Sequence, residues 1–268
     1  MTEPIGVEQD LTGLASRVAE RAKSLQRQRD FITSLLAALE REPKNVSALK
    51  RLLSTPTRNE VQSQFPEADH LFTRLDEWTA ATWRTFSLTA AATFRALGTD
   101  AGYTVTGQPP RLTVGRGIEV VFHMSQNKSI IDGVAIQTVD PHDVLAKVTS
   151  EHERLWNSPF QPTPFLGDLY EAYRSEITNS GGSSEGVAIL AIYERLRLGL
   201  SPSAKKAFTR DVFAAHISRA LEAGARAPGG KALVLTPVAD PADALWIYLA
   251  DRGERAYRGL VTFREASE

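Results

Sequence analysis

The sequence predicts an α+β fold in which a long N-terminal helical hairpin precedes a mixed domain. Three observations support this class. Apolar residues recur at helical spacing through the first hundred residues, β-type patterning begins after Gly98, and helical and strand patterns share the rest of the chain. A length of 268 residues corresponds to one or two domains. We predict a coiled-coil-like helical region at residues 1–98 and an α+β domain at residues 99–268.

The first predicted helix carries an apolar heptad series that runs from Leu11 to Leu39. Apolar residues occupy every a position, whereas the middle d positions are Arg21 and Gln28. Because a and d residues face a partner helix in a coiled coil, the series predicts a surface for a second copy or for another protein. Pro43 ends this helix, since its ring cannot fit within a helical turn. The predicted partner-binding residues are Leu11, Leu14, Val18, Leu25, Ile32, Leu35 and Leu39.

Two further helices are predicted before the β-type patterning begins. A short one spans Val46 to Leu53, and a long one runs from about Asn59 to Leu97. Pro66 lies within the long pattern and predicts a kink or a restart there. Two long helices joined through a short one can fold back as an antiparallel hairpin. The aromatic residues of the second long helix predict substantial packing.

A β-meander of three or four strands is predicted next. Its candidate strands are residues 102–105, 112–114, 118–123 and 129–139. Gln126-Asn127-Lys128 is predicted to form the turn before the last strand, and Gly133 is a candidate bulge within that strand.

Helices and strands share the remaining sequence. Asp140 suits an N-cap and Pro141 suits the first helical position, so a helix is predicted to begin there. Further helices are predicted at residues 165–177, 185–198 and 201–223, with an exposed loop at residues 179–184. C-terminal strands are predicted at residues 231–235, 245–249 and 257–263, with a turn at 251–254. The pattern leaves open whether the two groups of strands join in one sheet.

Composition excludes several kinds of chemistry. The chain contains no cysteine, which rules out a disulfide scaffold, a cysteine nucleophile, an iron–sulfur site and a thiolate zinc site. No stretch approaches the roughly 20 apolar residues that a membrane span needs, and the first residues lack the basic and apolar pattern of a signal peptide. We therefore expect a cytoplasmic protein that makes no membrane contact.

One region matches part of the pattern of a metal-dependent nuclease. A restriction-type site places an acidic residue on one strand and a Glu- or Gln-x-Lys tripeptide on the next, where they hold magnesium and activate water. Here Glu119 precedes the tripeptide that ends at Lys128, and Asp132 lies nearby. The tripeptide falls in a predicted turn, however, where polar residues are common because they are solvated. We therefore favour a structural role for these three residues.

Charge is unevenly distributed although the net charge is only −1. Residues 140–194 contain nine acidic and three basic side chains, whereas residues 195–231 contain eight basic and two acidic ones. Basic helices can neutralise phosphates and give sequence-independent affinity for nucleic acid. The alternative is that the acidic and basic helices pack together and compensate each other. The candidate nucleic-acid-binding residues are Arg195, Arg197, Lys205, Lys206, Arg210 and Arg219.

The sequence favours a non-catalytic assembly or scaffold subunit of a larger cytoplasmic complex. In one form of this hypothesis, the complex acts on nucleic acid. The heptad series, the apolar and aromatic helices and the lack of a coherent catalytic set support this hypothesis. We lean against an enzyme and expect no cofactor and no bound metal. Two alternatives stay open: a metal-dependent nuclease with the restriction-type residues above, and a nucleic-acid-binding module that uses residues 195–231.

Overall fold

The structure is a computed structural model that describes residues 5–179 and 186–265. Nine helices lie in these two ranges, and the last residues of the fifth continue as a π-helical turn at Glu153–Asn157. The helices are α1 (Ile5–Glu40), α2 (Val46–Leu53), α3 (Thr57–Gln64), α4 (Ala68–Asp100), α5 (Pro141–His152), α6 (Pro162–Asn179), α7 (Ile189–Leu198), α8 (Pro202–Ala207) and α9 (Arg210–Glu222). Within the described part of the chain, no helix is long and apolar enough to cross a membrane.

Ten strands in the described ranges form three sheets. The first sheet is a meander of β1 (Val105–Gln108), β2 (Arg111–Val114), β3 (Ile118–His123), β4 (Lys128–Ile131) and β5 (Val134–Ile136), in chain order. The other strands are β6 (Val187–Ala188), β7 (Lys231–Thr236), β8 (Leu245–Leu249), β9 (Glu254–Arg258) and β10 (Leu260–Glu265). They form a three-stranded sheet in the order β6-β10-β7 and a separate β8-β9 hairpin. The predicted α+β class, with a long N-terminal helix, a meander, further helices and C-terminal strands, is confirmed.

The chain divides into two compact units. The first unit comprises residues 1–101, 108–111 and 121–145, and the second comprises residues 102–107, 112–120 and 146–268. Each unit is described below by itself.

The core of the first unit forms where the C-terminal half of α1 meets α2, α3 and α4. On α1, Phe31, Leu35 and Ala38 follow one another at helical spacing, so they share one face of the helix. The Phe31 and Phe72 rings meet edge to face with centroids 5.8 Å apart. Apolar side chains of α2 and the following helices complete this cluster: Leu49, Leu53, Val61 and Ala68.

A polar network joins the start of α2 to the end of the meander in the same unit. Asn45 caps α2, since its Oδ1 accepts the Ala48 amide at 2.9 Å. The fully buried Ser47 hydroxyl donates to Asn127 Oδ1 at 2.7 Å and accepts the Val139 amide at 3.1 Å. We call this set the Ser47 network, and its members are Arg41, Asn45, Ser47, Asn127, Thr138, Asp140 and Asp143.

Asp140 and Asp143 extend the Ser47 network to α5. Asp140 accepts the amides of His142 and Asp143, which confirms its predicted N-cap role with Pro141 at the first helical position. Arg41 donates to Asp143 at 2.7 Å and to Asp140 at 3.2 Å. Burial and then the charge of Asp143 raise the pKa of Asp140, although Arg41 opposes this rise.

The core of the second unit lies between α6, α7 and α9 and the two C-terminal sheets. It contains large, fully buried side chains, among them Leu169, Ile192 and Phe213. The Phe208 ring packs against Tyr193 and Phe213 with centroids 5.7 and 5.8 Å away. This contact explains why the predicted helix at residues 201–223 is interrupted: α8 ends before Phe208, and the break lets the ring enter the core.

The restart predicted at Pro66 is confirmed, because the pattern at residues 59–97 forms two helices with a break at Phe65-Pro66-Glu67. Three other sequence predictions differ from the structure. Asp132-Gly133 is not a bulge but the two-residue turn between β4 and β5, with φ of 44° and 82° as a type I′ turn requires. The meander accordingly has five strands.

The remaining two differences arise from pairing between distant segments. Val187–Ala188 is a strand and not the start of a helix, because it pairs with Leu260 and Val261 of β10. The predicted third C-terminal strand divides at Gly259, so that β9 pairs with β8 and β10 pairs with β7. The predicted loop at residues 179–184 lies outside the described residues except for Asn179, which ends α6.

Candidate functional site

The most prominent candidate surface is an apolar stripe along α1. Five of the seven predicted partner-binding residues have exposed side chains, with exposed fractions from 37% for Ile32 to 60% for Val18. We call these five residues the α1 stripe: Leu11, Leu14, Val18, Leu25 and Ile32. The other two point elsewhere, because Leu35 is buried in the core of the first unit and Leu39 packs against it.

The geometry of the helix explains why the stripe stays outside the core. At about 100° per residue, Leu25 and Ile32 lie about 80° around the helix from the face formed by Gln28, Phe31 and Leu35. That face is buried against the first unit. The heptad series therefore describes two neighbouring faces of α1, of which one closes the core and the other remains exposed.

From residue 10 to residue 23, α1 is exposed on every side. Near the end of this segment Arg21 donates to Gln64 of α3 at 3.3 Å. Further along, Ser24 and Arg27 contact Glu60 at 3.3 and 3.6 Å. Helical segments gain most of their stability from packing of an apolar face. An exposed helix of this length with an apolar stripe is typical of a surface that a partner covers.

The three nuclease candidates do not form a recognisable metal site. Glu119 lies on β3 in the second unit, whereas Lys128 begins β4 and Asp132 occupies the β4–β5 turn in the first unit. Among the described residues, no group of three or more carboxylates and histidines is arranged to hold a metal ion. The predicted turn is present at Gln126 and Asn127: Gln126 ends a 3₁₀ turn, and Asn127 has the left-handed backbone conformation. The nuclease reading stays a prediction without structural support.

Two of the six predicted nucleic-acid-binding residues form ion pairs within the second unit. Arg195 of α7 donates to Ser175 and lies 3.4 Å from the Glu176 carboxylate on α6. Arg197 makes an ion pair with Glu194 at 3.8 Å. These contacts show that acidic and basic segments compensate each other at this point.

The other predicted basic residues fall into two groups. Arg219 donates to the Ser158 carbonyl at 2.8 Å and lies over the Phe160 ring at 4.5 Å, so its guanidinium has a packing role. Lys206 and Arg210 are exposed and Lys205 is half-buried, and none of them makes an ion pair with the carboxylates that the structure describes. These three residues are the part of the basic stretch that remains available to solvent anions.

The imidazole of His216 lies among aromatic rings in the second unit. Burial and then the nearby charge of Arg219 lower its pKa to about 4. Its ring stacks on Phe160 with centroids 4.6 Å apart and meets Phe165 edge to face. A neutral imidazole among aromatic rings is explained by packing, so His216 gives no sign of a catalytic role.

Comparisons with known proteins do not assign this chain to a class. No family model matches it, and no curated protein or solved structure is significantly similar to it. The function is therefore argued from the surfaces of the described residues.

Proposed function

We propose that this protein is a non-catalytic assembly subunit that pairs through the α1 stripe with a second copy of the chain. The observation that carries the proposal is the run of five exposed apolar side chains at heptad spacing on α1. From Leu11 to Ile32 the stripe extends over about 32 Å, at a rise of 1.5 Å per residue. This length is sufficient for a two-helix contact of three heptads.

The charges of α1 favour an antiparallel arrangement of the two copies. Acidic side chains occur near its start, including Asp10, whereas basic ones follow from Arg17 to Arg29. If Leu14 packs against the partner's Leu25, an antiparallel pair places the acidic start of α1, with Asp10, level with the partner's Arg29 at the basic end. A parallel pair instead places the basic segments of the two copies side by side, where like charges repel. Attraction at both ends of the contact supports the antiparallel register.

The expected affinity is moderate. Full burial of a Leu, Ile or Val side chain contributes about 1.5–3 kcal/mol, and those of the α1 stripe are already roughly half buried. Ten such side chains in a pair contribute about 10 kcal/mol in total. The loss of translational and rotational freedom costs at least about 4 kcal/mol. The difference is at most about 6 kcal/mol, which corresponds to a dissociation constant no lower than tens of micromolar.

Sedimentation analysis of the full chain across this concentration range tests the proposal. We expect a monomer–dimer equilibrium that Leu14→Asp or Leu25→Asp abolishes, because each places a charge within the contact. Leu198→Asp is the matched control, since Leu198 is exposed on α7 in the second unit. A chain that stays monomeric at several hundred micromolar contradicts self-association, and a control that also abolishes the dimer contradicts the assignment of the contact to the α1 stripe.

A charge exchange tests the antiparallel register. Asp10→Arg alone should weaken the dimer, and addition of Arg29→Asp should restore it, because the two positions then attract again with reversed signs. Absence of rescue, with dimerisation still dependent on Leu14, would show that the two helices pair in another register.

A nucleic-acid-binding module is the second candidate function. It is favoured by Lys205, Lys206 and Arg210, whose charges have no ion-pair partner among the described carboxylates. Binding of this kind should weaken steeply with salt, as phosphate contacts release counterions. A mobility-shift assay at low salt should then detect binding that is lost when all three residues are changed to glutamine. Absence of a shift at low salt rejects this candidate.

A further inference from the structure

A groove in the first unit has features of a small-molecule site. It lies between the C-terminal end of α2 and the middle of α4 and has a volume of about 480 Å³. This volume falls within the range of about 300–1,000 Å³ that is typical of ligand pockets. The groove walls are largely apolar and include Leu53, Ala80 and Trp83.

The charged groups at the groove are unbalanced. The Lys50 ammonium lies 3.7 Å from the centre of the Trp83 ring, and Arg84 also lines the groove. Neither cation forms an ion pair with the carboxylates that the structure describes. The acidic residue at the groove, Asp76, is 2.6 Å from Arg58 and is therefore already compensated.

The position of Lys50 is unfavourable for an unpartnered cation. Its side chain is half-buried above an indole ring, and burial lowers the pKa of its amine. The cation–π contact with Trp83 offsets part of this cost. An anion in the groove would compensate the charge more fully, while its apolar part would cover Trp83 and Leu53.

We propose that this groove binds a small amphipathic anion, that is, a molecule with an apolar body and one carboxylate, sulfonate or phosphate group. The anionic group contacts Lys50 and Arg84, and the apolar body lies along Leu53, Ala80 and Trp83. This site is independent of the α1 stripe, whose residues do not line the groove. The proposal therefore holds whether or not the chain pairs with a second copy.

The probe 8-anilinonaphthalene-1-sulfonate tests the proposal because it combines a sulfonate with aromatic rings. We expect one saturable site per chain in a fluorescence titration. Lys50→Met should raise its dissociation constant about tenfold, as expected for the loss of a charged hydrogen bond. Ala80→Trp fills the groove from an exposed position of α4 and should abolish the site. Lys44→Met is the matched control at an exposed lysine and should change nothing.

A neutral analogue, N-phenyl-1-naphthylamine, separates the anionic requirement from simple hydrophobic binding. Its affinity should not depend on Lys50. Probe binding that survives Ala80→Trp would overturn the assignment to this groove, and so would the absence of a saturable site. Equal effects of Lys50→Met on both probes would overturn the role of the anionic group. Circular dichroism of each variant confirms that the helices are retained.

Discussion

Replacement of Ser47 by alanine removes the hydroxyl at the centre of the Ser47 network. That oxygen accepts the Val139 amide at 3.1 Å and donates to Asn127 Oδ1 at 2.7 Å. In the variant, the fully buried Val139 N–H has no acceptor, and the half-buried Asn127 loses a donor. A buried unsatisfied group costs about 1–3 kcal/mol. We therefore expect the free energy of unfolding of the first unit to fall by about 2–4 kcal/mol.

The two units can be followed separately because each contains two of the four tryptophans. Trp78 and Trp83 lie in the first unit, and Trp156 and Trp246 lie in the second. Urea denaturation in a background of Trp156→Phe and Trp246→Phe therefore reports on the first unit by fluorescence. The transition midpoint should move to lower urea with little change in slope.

Ser54→Ala is the matched control for this experiment. The Ser54 hydroxyl donates to the Arg51 carbonyl at the exposed end of α2, where water can replace it. Its effect should stay below about 0.5 kcal/mol. A Ser47→Ala effect as small as that of the control would refute the conclusion that this hydroxyl satisfies buried groups.

Three further predictions concern other sites. Because the pKa of His216 is about 4 in the folded chain and about 6.5 when exposed, the unfolded chain binds more protons between these pH values. The free energy of unfolding should therefore fall by about 1–2 kcal/mol as the pH drops from 6.5 to 4, and thermal melts of His216→Phe should lack this loss. Because burial and then a neighbouring carboxylate raise the pKa of Asp140, proton binding by Asp140 stabilises the folded chain, and this stabilisation disappears as the pH rises through the folded pKa. Asp140→Asn keeps the N-cap acceptor and should remove this pH dependence of stability, whereas Asp140→Ala should lose about 1 kcal/mol at every pH. Gly259→Ala should destabilise the second unit by about 1–3 kcal/mol, because a Cβ there would lie 2.3 Å from a methyl of the stiff Val238 side chain. Denaturation midpoints should show no such loss for the control Gly199→Ala, whose added methyl makes only an ordinary van der Waals contact.

Elements with local signals were predicted well from the sequence. The bounds of α2 and β3 agree with the structure, and Asp140-Pro141 marks the start of α5 as expected. Each of these follows from capping chemistry or from short-range apolar periodicity. The Asp132-Gly133 turn also has a local signal, since this dipeptide is favoured in type I′ turns, but the following apolar residues led to one long strand instead.

Features that depend on distant partners could not be predicted from patterns. β6 exists because β10 supplies its backbone hydrogen bonds, and nothing within Val187–Ala188 indicates that pairing. The division of the heptad series into a buried and an exposed face depends on where α2 and α3 pack against α1. The groove beside Trp83 was missed for the same reason. The occurrence of two tryptophans, Trp78 and Trp83, on one helix was the sequence signal that could have indicated it.

The Ser47 network has a consequence for synthesis of the chain on the ribosome. Arg41, Asn45 and Ser47 emerge early, yet their partners lie between Asn127 and Asp143. At about 5–20 residues per second, the ribosome takes several seconds to extend the nascent chain from Ala101 to Leu145, the two ends between which the first unit is completed. During that interval, helices α1 to α4 carry polar groups that only water can satisfy. The first unit therefore cannot complete its polar network until Val139 has emerged and can reach Ser47.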